Sequence, residues 1–199
     1  MDHLSLSRKR LACYAPHFGQ PGQIVEAAGE GDPRVDVIIY PPQGSRSFTT
    51  LITSGMSDKR MSLPESIPHN ERSDFYRREL IWYVGEQRKE YVTWMQWLGR
   101  FPFIDRTWLG HGHTVRWHEP LFTGSVLQHF LLTYSIIRTD DQIKEELKIE
   151  DDPVALLWIN PITPQEHRIK KEMRIDGLLD LFERKKHPFI FDSGRSSYA

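Results

Sequence analysis

Hydrophobic positions along the chain repeat with two periods, and the switches between them predict the elements. "VDVIIYPP", Val35–Pro42, is β-branched and apolar and is stopped by prolines, which predicts a strand. In "SFTTLITSG", Ser47–Gly55, Phe48, Thr50 and Ile52 share one face and Thr49, Leu51 and Thr53 the other. "RRELIWYVG", Arg77–Gly85, is a third strand after a proline-bearing loop, and the close spacing predicts largely antiparallel neighbours. The period then changes. Tyr91, Trp94, Met95 and Leu98 fall at i, i+3, i+4 and i+7, one face of a helix, with Gly99 and Pro102 marking its end. This aromatic stripe is read as core packing rather than a cofactor site.

Further on, Ser125–Ile137 is apolar, and Thr133, Tyr134, Ile136 and Ile137 favour a strand. "RTDDQIKEELKIEDDP" carries seven acids against three bases and reads as a solvated acidic loop or edge. Val154–Asn160 predicts a buried strand. Thr163, Pro164 and Glu166 then write a capping box with proline at the first helical position. The helix that follows buries Ile175, Leu178, Leu179 and Phe182 and is interrupted or continued at Gly177. A short extended segment closes the chain. Residues 1–34 read as a loosely structured N-terminal lead-in with room for a short helix at Leu4–Tyr14, and residues 35–199 as a single domain. The expected class is α+β (mixed α/β): a mixed β-sheet packed against helices.

Composition narrows the function. With 199 residues the chain suits one well-buried domain. A net charge of −1, with both signs interspersed, argues against a general nucleic-acid binder. No apolar run approaches the roughly 20 residues that cross a bilayer. Basic residues near the N-terminus are not followed by an apolar signal core, so a cytoplasmic protein is expected. Cys13 is the one cysteine, which excludes an intrachain disulfide.

Candidate chemistry centres on "LGHGHTVRWHEPL", Leu109–Leu121, which holds three of the nine histidines. His111, His113 and His118, with Glu119 as a base, would supply the three ligands of a zinc-dependent enzyme. The spacing is compatible with that chemistry without specifying it, and local hydrogen bonding is the competing reading. Gly55-Met56-Ser57 begins like a nucleophile elbow, but Lys59 stands where a second glycine is needed, so a tight connection is expected there. Neither a phosphate-binding loop nor a dinucleotide fingerprint is present, and no cofactor is expected.

Six stretches, in order, resemble the suppressor of fused family over about residues 45–198: "TSGMSD", "ELIWYV", "TVRWHEPL", "QHFLLT", "INPITPQE" and "FDSGRSS". The compact bacterial type is the nearest in form. The resemblance implies a non-enzymatic protein-binding domain whose partner is a protein or peptide, with no nucleic acid and no membrane. In animals the family restrains Hedgehog signalling by gripping a peptide of a transcription factor. Some bacterial members are proposed immunity proteins that neutralise a toxin, and a signalling or transcription-regulator adaptor is the alternative. The contact region so implied is Phe101, His113, Thr114, Trp117 and His118, with core or second-layer packing the competing reading for Trp117 and His118. The animal family carries an acid where this chain has His113, so the charge-assisted bond to a basic group of the animal partner's peptide is not expected here, while capture by strand addition, which uses backbone groups, stays open.

Overall fold

Apolar strands and amphipathic helices assemble into a sheet covered on both faces. The computed structural model describes residues 2–29 and 31–199. In chain order the elements are α1 (His3–Phe18), β1 (Gln23–Val25), β2 (Asp36–Tyr40), β3 (Thr49–Ser54), a 3-10 turn at Met56–Asp58, α2 (Ser73–Tyr76) and β4 (Arg77–Val84). Then come α3 (Lys89–Ile104), β5 (Thr114–Arg116), β6 (His129–Tyr134), α4 (Arg138–Asp141), α5 (Ile143–Glu146), β7 (Lys148–Ile149), β8 (Asp152–Ile162) and α6 (Pro164–Arg184). The sheet runs β1-β2-β3-β4-β8-β6-β5, with β7 paired to β8. Its neighbours are antiparallel except β4 and β8, which run parallel with Arg77 opposite Val154. The mixed sheet and its helices agree with the expected class.

The period-2 alternation divides the core. Val37, Leu51, Leu80, Trp82, Leu157, Phe130 and Val115 face α3, where Tyr91, Trp94, Met95 and Leu98 meet them. Ile38, Ile52, Ile81, Leu156 and Trp158 face the other way, onto Leu6, Tyr14 and Phe18 of α1. Farther along that second face, Leu131 and Ile162 pack on Leu178, Leu181 and Phe182 of α6.

Five expectations change. The lead-in is not loose: α1 buries Leu6, Arg10, Tyr14 and Phe18, four residues apart each time, and Asp2 caps it by accepting from the Ser5 N–H at 2.8 Å. The third helix does not end at Gly99. A Cβ there would lie 2.9 Å from Val35 Cγ1, so this glycine admits the Val35 side chain just before β2, and the helix runs on to Ile104. The acidic segment is structured, as α4, α5 and β7, because two of its acids are buried and paired: Asp140 with Arg46, and Asp152 with Arg77 at 2.8 Å. The strand expected over Ser125–Ile137 is only His129–Tyr134, and the break in the last helix falls at Arg174, with φ 62°, rather than at Gly177.

The capping box forms as written: Thr163 Oγ1 accepts from the Glu166 N–H at 3.1 Å, and Glu166 accepts from the Thr163 N–H at 2.9 Å. Arg195 then clasps the same carboxylate with two bonds, at 2.7 and 2.8 Å, tying the C-terminal segment to the helix start. Among the described residues, no helix is long and apolar enough to cross a membrane.

Candidate functional site

Two places in this fold gather chemistry-bearing side chains. The first lies where β3 turns into the 3-10 segment. Glu79, fully buried, accepts from the N–H groups of Gly55 (2.9 Å) and Ser57 (3.1 Å) and from the hydroxyls of Ser57 (2.7 Å) and Thr53 (2.6 Å). Gly55 has φ 131°, and a Cβ on it would lie 1.9 Å from the Arg34 carbonyl oxygen, so only glycine aims this turn at Glu79. Arg10, fully buried, reaches in from α1 and donates to Asp58 (2.6 Å), Ser57 (3.0 Å) and Ser54 (2.9 Å). Burial works against the Arg10 charge, but Glu79 and Asp58 outweigh it and hold its pKa above the ordinary value. Burial pushes Glu79 up, opposed by Arg10 and the donors. The Ser57 hydroxyl is committed to Glu79 and Arg10 and is fully buried. This is a tight connection, not a nucleophile elbow. Cys13 is no better placed as a nucleophile, because burial raises its pKa and favours the thiol.

The second place is the sheet edge at β5. In the β5–β6 ladder, His113 O accepts from the Leu132 N–H at 2.9 Å, and the Trp117 N–H donates to Gln128 O at 2.9 Å. Antiparallel pairs alternate, so the main-chain groups of Thr114 and Arg116 point away from β6, off the edge of the sheet. Beside them lies an open groove of about 490 Å³ lined by Phe101, Asp105, Leu109, His113, Thr114 and Lys170. The groove therefore gathers three of the five expected contact residues, Phe101, His113 and Thr114. The other two continue the same edge through a row of rings. Trp97 stands 5.6 Å from Phe101 and 4.7 Å from Trp117, and Trp117 stands 4.5 Å from His118. Trp117 packs partly into the core, whereas the His118 side chain is exposed, 3.3 Å from Glu119.

The three histidines do not converge. His111 stacks on Tyr134, with centroids 5.0 Å apart, and its Nδ1 accepts from the Tyr134 N–H at 3.1 Å. His113 donates from Nδ1 to the Trp108 carbonyl at 3.2 Å and packs on that indole. Burial lowers the pKa of both. Among the described residues, no three potential ligands come together to hold a metal ion, so the His111, His113 and His118 zinc site is not assembled. The reason is local: a turn at His111 and Gly112 breaks the strand that would have aligned the first two side chains.

Sequence reasoning missed Lys170 and Asp105, which reach the groove from α6 and the end of α3. Nothing in their own neighbourhoods marks them, because each arrives from an element distant in the chain.

The sequence model described as suppressor of fused protein (SUFU) matches residues 31–196. No curated protein matches. Among solved structures, a SUFU homologue from Neisseria gonorrhoeae FA 1090 superposes with a TM-score of 0.72 at 15% identity, covering 98% of this chain and 98% of that one. A Sufu–Fu complex matches with a TM-score of 0.64 at 17% identity, covering 98% of this chain and 91% of that one. Drosophila Suppressor of Fused gives 0.64 at 16% identity, covering 98% of this chain but 51% of its own. At these identities the structural likenesses are likenesses of fold.

Proposed function

Because the chain belongs to the suppressor of fused family, we propose that it is a non-enzymatic protein-binding domain that captures a partner segment as an added strand along β5. The observation that carries this reading is the outward-facing edge at Thr114 and Arg116, flanked by Phe101, His113, Trp117 and His118. A strand added there gains main-chain hydrogen bonds, while the groove beside it selects side chains. The Sufu–Fu complex supplies a protein partner for a relative of the same fold. The finer form of the reading is a cytoplasmic immunity protein whose partner is a toxin. Rescue of cell growth when the chain is co-expressed with a toxin encoded beside it tests that form.

Thr114→Pro tests the edge itself. Proline removes an outward N–H without costing a ladder bond to β6. The variant should fold like the parent and lose the protein that the parent captures from its native cell. Retention of that partner would place binding elsewhere. Reproducible turnover of a hydrolase or nucleotide substrate, abolished by His118→Ala, would overturn the non-enzymatic reading.

A further inference from the structure

We propose that the segment docked on β5 is acidic: an extended stretch of a partner protein with carboxylates at alternate positions, received by a row of cations on the α6 side of the edge. The proposal rests on the edge-docking reading above and names the chemistry of its partner.

The register carries the first step. Arg116 lies opposite His129, and Thr114 opposite Leu131, which packs on α6; both edge residues therefore present their side chains to the α6 side. There the His129 ring stacks on His167 of α6, centroids 4.5 Å apart and 15° from parallel. Lys170 and Lys171 follow on the same helix, and Lys170 reaches the groove. Among the described residues, Arg116, Lys170 and Lys171 form no ion pair within 4.0 Å. The Nδ1 atoms of His129 and His167 are buried without a hydrogen-bond partner, and His129 is only 6% exposed. Three elements thus bring three cations and two imidazoles together with nothing negative among them.

The acids in the neighbourhood do not balance this field. Asp105 sits on the opposite, α3-side rim of the groove, Asp176 acts on His111, and Glu172 is exposed on α6. The titration directions agree with the geometry. After burial, the groups that depress His129 are His167, Arg116 and Lys171, and those that depress His167 are Lys171 and Lys170. A carboxylate placed here would relieve every one of those repulsions.

The other side of the edge is aromatic, with Phe101, Trp97 and Trp117. A strand whose side chains alternate would therefore set acids against α6 and apolar groups against these rings. That two-sided demand favours a peptide over nucleic acid. Three unpaired cations are few for a phosphate backbone, and the outward N–H and C=O groups of Thr114 and Arg116 match a main chain.

The test uses labelled peptides of about ten residues. One alternates glutamate and valine, one glutamine and valine, and one lysine and valine, with an oligothymidylate as a fourth probe. Binding to the full chain is read by fluorescence polarisation in about 50 mM salt, where charges are weakly screened. The glutamate peptide should bind at least about tenfold more tightly than the glutamine peptide. The Lys170→Glu/Lys171→Glu double variant should reverse that order and prefer the lysine peptide. Equal binding of the glutamate and glutamine peptides would overturn the acidic chemistry and leave edge docking standing. Oligothymidylate binding as tightly as the glutamate peptide would assign the cations to nucleic acid and overturn it too. Failure of every peptide up to about 1 mM would sink both readings.

Discussion

At the start of β4, Arg10 and Glu79 are fully buried, and each meets several partners supplied by the fold. At β5, Arg116, Lys170 and Lys171 meet no carboxylate among the described residues, and the two stacked imidazoles beside them each keep a buried Nδ1 unpaired. Arginine and aspartate occur in both neighbourhoods, Arg10 and Asp58 in one and Arg116 and Asp105 in the other, so residue type alone does not distinguish them. What distinguishes them is closure. The first cluster pairs its charges internally, Arg10 with Asp58 and Glu79, leaving only Arg10 Nη2 without a partner, and therefore belongs to the framework. The second leaves cations and the main-chain groups of a sheet edge without a protein partner among the described residues. Around His113 a motif that looks like a metal site is thus a strand edge, and around Ser57 a motif that looks like a nucleophile is a brace.

The largest effect that tests this contrast comes from opening the closed cluster. Arg10→Ala leaves Glu79 buried without its cation and removes the polar tie between α1 and the β3 turn, at a cost of about 3–5 kcal/mol in urea unfolding. A loss below about 1 kcal/mol would show that the cluster is not a brace. Gly55→Ala comes next. Its Cβ would meet the Arg34 carbonyl oxygen at 1.9 Å, at a φ of 131° that L-residues rarely adopt. About 2 kcal/mol or more should be lost, because the turn must move away from Glu79 to relieve the contact.

The elements with a strong period were legible from sequence. The Tyr91, Trp94, Met95, Leu98 stripe, the strand around Val154–Asn160 and the Thr163–Glu166 capping box each declare themselves within a few residues. The α1 helix was less legible, because its buried positions include Arg10 and its pattern is weakly amphipathic. Burial of Arg10 depends on Asp58 and Glu79, which the chain supplies far downstream. The same holds for Asp140 and Asp152, which read as solvated until Arg46 and Arg77 are placed beside them. Of the β5 edge, the TVRWH stretch stood out, but its partners in space did not. His129 lay inside an apolar run and Lys170 inside an amphipathic helix, and neither context points to the other. Pairings of this kind are tertiary, and hydrophobic period carries no information about them.

Acid should sharpen the contrast by a smaller amount. Burial, followed by neighbouring cations, holds His129 at about 4; burial, followed by Arg195, holds His187 at about 4. Both lie below the unfolded value of 6.5. Between pH 6.5 and 4 the unfolded chain takes up protons that the folded chain refuses, so stability is fully present above 6.5 and is lost as pH falls toward 4. The loss should be about 1–2 kcal/mol, reduced from the full shift by solvent screening around Arg116 and Lys171. Glu166, held low chiefly by Arg195 against the cost of its burial, adds its own loss only below its ordinary 4.5, so the two windows separate. Urea midpoints at several pH values measure the slope, and His129→Gln should flatten it in the upper window.

The smallest expected effect concerns the open edge itself. Lys171 is exposed on α6 and makes no ion pair among the described residues, so Lys171→Glu should change stability by no more than about 0.5 kcal/mol in either direction. What should move instead is the imidazole beside it. Lys171 is one of the cations that lower His129, and replacing it with a carboxylate removes a repulsion and adds an attraction, so the His129 pKa should rise above 4. An NMR titration of the histidine ring protons, run beside urea unfolding, reads both quantities from one variant. A shifted His129 with unchanged stability would mark the α6 row as charge held ready for a partner. A large loss of stability with no titration shift would place Lys171 with Arg10, in the framework, and would remove the contrast between the two regions.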